Sequence, residues 1–290
     1  MAMSALSIAF YGKGGGLAST VAANVGAAMA EDGYRVIVVG CDPQNACTRV
    51  LRGEEDIVTV LEILRVKQKI TLEDISVKGF NNVLCLEAMS IYRSDICAGR
   101  GIGEVFSFFR RTNLLDEYRP DVVIYDLPAE VVCGAFILPS QDTAFNSAYV
   151  VSSSDIISLS AANSIFRSIR GNAERGGAML GGIIAYGLTS SFADSVVKDF
   201  AERTGTRVVT YLPYSTVIVQ SELYGQTVLQ AGPRSSHTFI YRRLAKKIME
   251  GDQMVIPNPF SDVEIRRWAR GWGDWICEIE QGIVRNGESI

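Results

Sequence analysis

The chain has 290 residues, of which 48% are hydrophobic and 21% charged, and its formal net charge is −4 at pH 7. A chain of this length and apolar content can bury a substantial core, and we expect residues 1–290 to form a single domain. The slightly negative net charge argues against a surface that binds nucleic acid. No apolar run approaches the ~20 residues of a membrane span, and the first residues lack a signal-peptide pattern. Six cysteines without paired short spacings favour a reducing compartment, so a cytoplasmic protein is expected.

Apolar, β-rich runs alternate with helical patterns along most of the chain. This alternation predicts an α/β fold with a mostly parallel sheet that helices cover on both faces. The predicted strands are Leu6–Tyr11, Tyr34–Gly40, Asn82–Glu87, Asp121–Asp126, Ala148–Ser153, Leu180–Tyr186 and Arg207–Leu212. The predicted helices are Thr20–Asp32, Ile57–Arg65, Ile102–Arg111, Asp155–Glu174, Ser191–Glu202, Ser236–Glu250 and Ser261–Glu280. At the last of them, Ser261 is the expected N-cap and Glu264 completes a capping box.

A glycine-rich turn joins the first predicted strand to the first helix. A strand, such a turn and a helix N-terminus form the phosphate cradle of P-loop proteins, because free backbone N–H groups and the helix dipole favour an anion. The candidate contacts are Gly12, Lys13, Gly14, Gly15, Gly16, Ser19 and Thr20. The pattern G-x-x-x-x-G-K-S/T is broken twice, since Leu17 stands at the second glycine and Ala18 at the lysine. The turn is kept, whereas the charge that grips the β- and γ-phosphates is lost.

Two other predicted strands lead into an aspartate, Asp42 after the second strand and Asp126 at the end of the fourth. A carboxylate at such a position is where NTPases hold Mg²⁺. One strand-terminal aspartate alone is more often a helix cap or a turn former. Two such aspartates after a P-loop-like turn favour a nucleotide and magnesium site. Because ligands bind beyond the carboxyl ends of parallel strands, we expect these loops and Gly12–Thr20 to converge.

Cys97 and Cys133 are the candidate metal ligands. Cys97 opens a glycine-rich loop that leads into a predicted helix, and Cys133 lies just past the Asp126 loop. Helix N-terminal amides lower a thiol pKa and favour an anionic cluster. A 4Fe-4S cluster takes about four thiolates, so a two-fold dimer with two from each chain would complete the set. The remaining cysteines are interpreted as small buried residues that behave as hydrophobic side chains. They are Cys41, Cys47, Cys85 and Cys277.

Six short motifs follow one another over nearly the whole chain. They are Tyr11-Gly12-Lys13-Gly14-Gly15, Gly40-Cys41-Asp42-Pro43, Thr48-Arg49, Cys97-Ala98-Gly99-Arg100-Gly101, Val131-Val132-Cys133-Gly134 and Val255-Ile256-Pro257-Asn258-Pro259. Together they resemble the nitrogenase iron protein family, which includes the reductase subunits of protochlorophyllide and chlorophyllide reductases. The resemblance implies a homodimer of P-loop α/β subunits that share one interface 4Fe-4S cluster, held by Cys97 and Cys133. It also implies that Lys13 reaches across the dimer to nucleotide phosphates and that Arg100 takes part in docking a partner protein.

In that family, ATP binding and hydrolysis gate one-electron transfer from the cluster to the partner. The departures of this chain from the family concentrate where the nucleotide would bind. They replace the P-loop glycine and lysine, a metal-holding aspartate, a switch glycine with its neighbouring aspartate, and an adenine-contacting asparagine. In that order they are Leu17, Ala18, Ala46, Ala129, Glu130 and Tyr186. The loops around the two candidate ligand cysteines match the family.

The other conspicuous side chains indicate less. His237 is the only histidine and is expected at the surface, which excludes a histidine-based triad or a histidine-rich metal site. Five large apolar residues are expected on the packed stripe of the last helix: Ile265, Trp268, Trp272, Trp275 and Ile276.

The sequence therefore predicts an iron–sulfur electron-transfer protein. It would be a homodimer with one shared 4Fe-4S cluster, a nitrogenase-like catalytic partner, and Mg-ATP binding that is weakened or lost. One alternative is an active ATP-dependent reductase in which Lys13, Ser19, Asp42 and Asp126 suffice. The other is a non-catalytic relative, such as a cluster sensor, scaffold or assembly factor. Neither a nucleic acid nor a membrane is an expected partner.

Overall fold

The computed structural model of the chain describes residues 5–13, 17–42, 46–90, 98–128, 147–174, 176–251 and 253–281. Within them, eight strands form one sheet. In chain order the strands are β1 (Leu6–Gly12), β2 (Val36–Gly40), β3 (Val77–Lys78), β4 (Leu84–Glu87), β5 (Val122–Pro128), β6 (Ser147–Ser152), β7 (Met179–Tyr186) and β8 (Val208–Leu212). Their order across the sheet is β3-β4-β2-β5-β1-β6-β7-β8, and every neighbouring pair is parallel except β3 with β4. The predicted α/β fold with a mostly parallel sheet is confirmed.

The helices fill the connections between the strands. They are α1 (Leu17–Glu31), α2 (Ala46–Arg52), α3 (Val60–Val66), α4 (Ala98–Thr112), α5 (Ile156–Ala173), α6 (Ser191–Arg203), α7 (Thr216–Leu223), α8 (Val228–Ala231), α9 (Ser236–Met249) and α10 (Asp262–Gln281). Every predicted strand and helix is present, although some ends differ. The largest difference is at α4, which begins at Ala98 and not at Ile102. Four short elements were not predicted: β3, α2, α7 and α8.

The sheet separates two apolar layers. One face packs against α3, α4, α5, α6 and α10, and the other against α1, α2, α8 and α9. Strands β2 and β6 are buried along their whole length. This two-sided burial explains why the central strands read as continuous apolar runs without alternation. None of the described helices combines the length and the apolar character that crossing a membrane requires.

The last helix, α10, is capped and packed as predicted. The Ser261 N–H donates to Glu264 Oε2 at 2.7 Å, and the Glu264 N–H donates to Ser261 Oγ at 3.3 Å. The indole N–H groups of Trp268 and Trp272 both donate to Oδ2 of Asp199 on α6, at 2.6 and 3.0 Å. These bonds, together with the edge-on contact of Trp272 with Phe192 and the tilted contact of Trp268 with Phe200, attach α10 to α6.

The surface position predicted for His237 is wrong. The side chain is only 6% exposed, and its Nε2 donates to the Pro213 carbonyl oxygen at 3.0 Å. Helical spacing puts His237 on the same face of α9 as Tyr241 and Leu244, and that face is buried. The histidine therefore ties the start of α9 to the loop after β8.

Candidate functional site

The carboxyl ends of β2, β5 and β1 lie next to one another at one edge of the sheet. In register, Gly40 is paired with Asp126, and Gly12 is paired with Pro128. Asp42 lies two residues after the end of β2 and is half-buried. The predicted convergence of the three loops is thus seen for those of their residues that the structure describes.

Asp126 faces the start of helix α1 at this edge. It is 1% exposed, and Ser19 Oγ donates to its Oδ2 at 2.6 Å. Burial raises the pKa of Asp126 to about 7, assisted by the charge of Asp42 and opposed by hydrogen bonds from Ser19 and Cys47. A cation bound here would need the ionised carboxylate. At neutral pH Asp126 is therefore partly protonated.

Glu87, which the sequence analysis did not single out, lies in the same row. Gly40 is paired with Glu87 on one side and with Asp126 on the other. Glu87 is fully buried; its Oε1 accepts a hydrogen bond from Thr48 Oγ1, while its Oε2 has no hydrogen-bond partner among the described residues. Burial, with the nearby charge of Asp126, raises the pKa of Glu87 to about 8. The sequence contains a sign of this residue, because Glu87 ends a predicted strand just as Asp126 does.

Gly40 allows this row to form. A Cβ placed on Gly40 would overlap the carboxyl group of Glu87. The glycine thus leaves room for the Glu87 carboxyl group on one side of the strand, while Asp126 is paired with it on the other side. Ser19 of α1 binds one of them and Thr48 of α2 binds the other, so the row fastens the starts of both helices to the sheet.

Helix α1 begins directly after the glycine-rich turn and has Ala18 where the P-loop pattern has a lysine. Ala18 is 5% exposed, and a Cβ built on Gly12 would lie 3.0 Å from the Ala18 Cβ and 3.3 Å from the Val151 carbonyl oxygen. The alanine side chain therefore lies against Gly12 on the inside of the turn. Lys13 is half-buried. Gly14, Gly15 and Gly16 lie outside the described residues.

Two further residues of the candidate nucleotide site are Thr20, which follows Ser19 on α1, and Tyr186. Thr20 is 8% exposed, and its Oγ1 donates to Oε1 of Glu222 on α7. Tyr186 is the last residue of β7 and is half-buried. Burial, followed by the negative charge of Glu222, raises its pKa above the ordinary value. Tyr186 is the residue that replaces the adenine-contacting asparagine implied by the family resemblance, and a carboxylate lies near it.

The two candidate cluster ligands, Cys97 and Cys133, lie outside the described residues, as do Ala129 and Glu130. Helix α4 begins at Ala98, directly after the first of these cysteines. Arg100 is exposed on the first turn of that helix. The side chain assigned to partner docking is therefore accessible.

The other cysteines fit a cluster poorly. Cys41 and Cys85 are fully buried and Cys47 is 1% exposed, whereas Cys277 is half-buried. Burial raises the pKa of Cys85 to about 12 and holds the pKa values of Cys41 and Cys47 well above the ordinary thiol value. Cluster ligands are thiolates, so protonated thiols of this kind are unsuitable. Among the described residues, no group of three or more His, Cys, Asp or Glu side chains is arranged to hold a metal ion. The buried position predicted for Cys277 is only partly met.

Comparison with known proteins identifies the family. The profile described as "4Fe-4S iron sulfur cluster binding proteins, NifH/frxC family" matches residues 6–270. The chain belongs to this family. It is 40% identical over 284 residues to nitrogenase iron protein 2 of Paenibacillus durus, covering 98% of this chain and 97% of the relative. It is also 40% identical over 271 residues to nitrogenase iron protein 2 of Methanothermococcus thermolithotrophicus, covering 89% and 93%.

Solved structures support the fold of this NifH/frxC-family chain. The septum site-determining protein MinD from Pyrococcus horikoshii, in complex with Mg-ADP, superposes with a TM-score of 0.64 at 22% identity over 86% of this chain and 98% of that one. A ParA family ATPase from Chlorobium tepidum superposes with a TM-score of 0.65 at 17% identity over 84% and 99%. At such low identity these likenesses concern the P-loop NTPase-like fold alone.

Proposed function

We propose that this NifH/frxC-family chain is a cytoplasmic iron–sulfur electron-transfer protein. Two copies share one 4Fe-4S cluster, held by Cys97 and Cys133 of each subunit, and pass electrons to a nitrogenase-like catalytic partner. Binding and hydrolysis of ATP are weakened or lost. The family membership, over residues 6–270, is the observation that carries the cluster and the electron transfer.

The described thiols support the assignment of the cluster ligands by exclusion. Cys41, Cys47 and Cys85 are buried with raised pKa values, so they stay protonated where a cluster needs thiolates. This leaves Cys97, Cys133 and Cys277, of which Cys97 and Cys133 are the pair with helix N-terminal surroundings in the sequence. A bound cluster would supply one-electron redox chemistry. The exposed Arg100, three residues after Cys97, suits contact with a partner protein.

The nucleotide site supports the loss of ATP function. Removing a lysine that pairs with phosphate eliminates a charge-assisted contact worth about 1.5–3 kcal/mol, or roughly ten- to a hundred-fold in affinity. Ala18 leaves only a methyl group against Gly12 in the turn. Ala46 offers no carboxylate, and the raised pKa of Asp126 makes its ionised, metal-binding form less available. Each of these features weakens the binding of Mg-ATP.

An active ATP-dependent reductase is the second candidate, and one observation favours it. The Ser19 hydroxyl and the Asp126 carboxylate are 2.6 Å apart. The two oxygen ligands expected of a P-loop magnesium site are therefore close together, at the edge of the sheet where the carboxyl ends of the strands meet. Lys13 and Asp42 would have to supply the remaining contacts.

The first prediction tests the cluster. Protein purified without oxygen should be a dimer with about four irons, because each chain offers two suitable thiolates. Cys97→Ser and Cys133→Ser should each abolish the cluster absorbance and lower the iron content to background. Cys277→Ser is the matched control and should keep both. A full cluster in either of the first two variants would disprove the ligand assignment.

A further inference from the structure

Helix α4 lies on the sheet in one fixed orientation. Its inner face is buried through Ile102, Val105, Phe106 and Phe109. The Phe106 ring contacts the Tyr125 ring of β5, with centroids 5.0 Å apart. A Cβ built on Gly101, in the first turn, would lie 2.9 Å from Sδ of Met89, so the start of the helix is seated closely against the residues after β4. The opposite side of α4 therefore faces water.

This water-facing side of α4 carries arginine at both ends. Arg100, Arg110 and Arg111 are exposed. Arg111 follows Arg100 by 11 positions, close to three helical turns, which places the two on one stripe about 16 Å apart along the axis. Glu104 and Ser107 lie between them on this stripe. Glu104 is four residues from Arg100 and offsets its charge, so the positive excess is at the other end of the helix.

Ser107 holds the two arginines at that end. Arg111 Nε donates to the Ser107 carbonyl oxygen at 3.3 Å, and Arg110 Nη2 donates to Ser107 Oγ at 3.4 Å. Arginine near a helix C-terminus also stabilises the helix through its dipole. Both interactions leave the terminal nitrogens of Arg111 without a hydrogen-bond partner among the described residues. A planar guanidinium group of this kind can bind a carboxylate through two hydrogen bonds.

The surface beside these arginines is shallow and locally positive, although the whole chain has a net charge of −4. A Cβ built on Gly103 would meet no atom within 4 Å, so another protein can approach the helix closely there. The next carboxylates in the sequence, Asp116 and Glu117, belong to the separate short helix Leu114–Tyr118. In the described part of the chain, Arg111 forms no ion pair with either of them.

We propose that the Arg110–Arg111 end of α4 is a docking surface for an acidic patch on the protein that receives the electron. Exposed charges of this kind add little affinity, but they steer the approach of a partner and fix its orientation. Helix α4 begins directly after Cys97, so a partner oriented by the far end of this helix is held beside the candidate cluster ligand. The inference rests on the proposed function, which supplies the cluster and the partner.

Electron transfer to two small redox proteins of opposite charge tests this surface. The probes are plastocyanin, an acidic copper protein, and cytochrome c, a basic haem protein. Each takes one electron from the reduced 4Fe-4S cluster and changes its absorbance. At about 10 mM ionic strength, the double variant Arg110→Gln, Arg111→Gln should reduce plastocyanin about tenfold more slowly than wild type. Its reduction of cytochrome c should be as fast as that of wild type or faster.

Salt and a matched control show whether the effect belongs to this surface. At about 150 mM salt the Debye length falls from ~30 Å to ~8 Å, so the difference between the variant and wild type should largely vanish. The control is Arg234→Gln, Arg243→Gln, which removes the same charge from exposed positions at α9, on the opposite face of the sheet from α4. It should stay within about twofold of wild type. Equal slowing toward both probes, no slowing, or equal slowing in the control overturns the docking surface.

Binding of metal-free plastocyanin tests the same surface without a cluster. In an NMR titration at about 10 mM ionic strength, the α4 double variant should bind about fivefold more weakly than wild type and the α9 control. Equal affinities overturn the docking surface even where the cluster is present. The proposed function is tested separately by iron content, because a wild-type protein without iron refutes that function while the titration still decides the docking surface.

Discussion

At residue 18 an alanine side chain, 5% exposed, lies against Gly12 inside the glycine-rich turn. A P-loop lysine at this position would extend along the bound phosphates and neutralise their charge. Ala18 can only fill space. The preceding Leu17 is half-buried at the first position of α1, where the P-loop pattern has a glycine. Neither side chain can supply a positive charge to a phosphate group.

Restoring the turn should recover binding without recovering hydrolysis. The double variant Leu17→Gly, Ala18→Lys should tighten Mg-ATP binding roughly ten- to a hundred-fold, because it returns a charge-assisted phosphate contact. Turnover should remain slow, since Ala46 supplies no carboxylate and Pro128 restricts the backbone at the end of β5. Calorimetry measures the affinity, and steady-state phosphate release measures the turnover.

Leu17→Gly alone is the control for that experiment, because it frees the turn without adding charge. Its affinity should stay near that of wild type. Phosphate release from the double variant at the rate of an intact family member would show that the other departures do not matter. It would favour the active reductase as the function.

The site residues at this edge of the sheet differ in how well the sequence predicts them. Asp126 and Ser19 are predictable, because one belongs to a strand-terminal pattern and the other to a P-loop pattern, both local in sequence. Glu87 is harder to find, because its importance depends on pairing with Gly40, 47 positions away in sequence, and on a side-chain bond from Thr48. The strand-terminal position of Glu87 is visible in the sequence, but its pairing is not. The burial of His237 differs in this respect, because its helical spacing with Tyr241 and Leu244 is a local sign of a buried face, whereas its hydrogen bond to the Pro213 carbonyl is not.

Among the elements, helix α10 depends on one carboxylate. Asp199 on α6 accepts both indole N–H groups of Trp268 and Trp272 and also pairs with Arg203 at 2.8 Å. Burial by itself raises the pKa of Asp199, but the hydrogen bonds from Arg203 and the two indoles outweigh it and lower the pKa below the ordinary value. The carboxylate is thus ionised at neutral pH and bonded on both oxygens.

Asp199→Ala should loosen α10. Losing the acceptor leaves two partly buried indole donors without a partner, which should lower the free energy of unfolding by about 2 kcal/mol. Denaturant unfolding followed by tryptophan fluorescence measures the change. Glu202→Ala on the same helix removes an exposed charge and serves as the control, with a change within about 0.5 kcal/mol. Equal stability of Asp199→Ala and wild type would show that ring packing alone holds α10.

Elements differ in how visible they are in the sequence. Helices α5 and α9 carry a periodic buried face and were found with ends within one residue, Ile156–Ala173 against the predicted Asp155–Glu174 and Ser236–Met249 against Ser236–Glu250. Helix α7 was missed because only two of its residues are buried, which leaves no apolar period to read. Strand β3 has two residues and α8 has four, too few for any pattern. Of these missed elements and α2, it is α2 that contributes a side chain to the carboxylate row, through Thr48.

For the whole molecule, the buried row of Glu87, Gly40 and Asp126 couples stability to pH. Folding raises the pKa of Glu87 from 4.5 to about 8 and that of Asp126 from 3.8 to about 7, in both cases first through burial. Between the unfolded and folded pKa values, the folded protein therefore binds more protons than the unfolded chain. The free energy of unfolding should fall as pH rises through this window and level off above the folded pKa values.

Glu87→Gln should flatten this dependence. The amide keeps the shape of the side chain and an oxygen for the Thr48 hydroxyl, but it cannot ionise inside the sheet. We expect the variant to gain stability over wild type at about pH 9, on the order of a few kcal/mol, and to differ little at about pH 5, where Glu87 is protonated in the fold. Denaturant unfolding across that range measures the difference, with the exposed Glu250→Gln as the control that should follow wild type. Parallel curves for Glu87→Gln and wild type would mean that folding does not raise the pKa of Glu87, and that Glu87 is ionised in the folded protein at neutral pH.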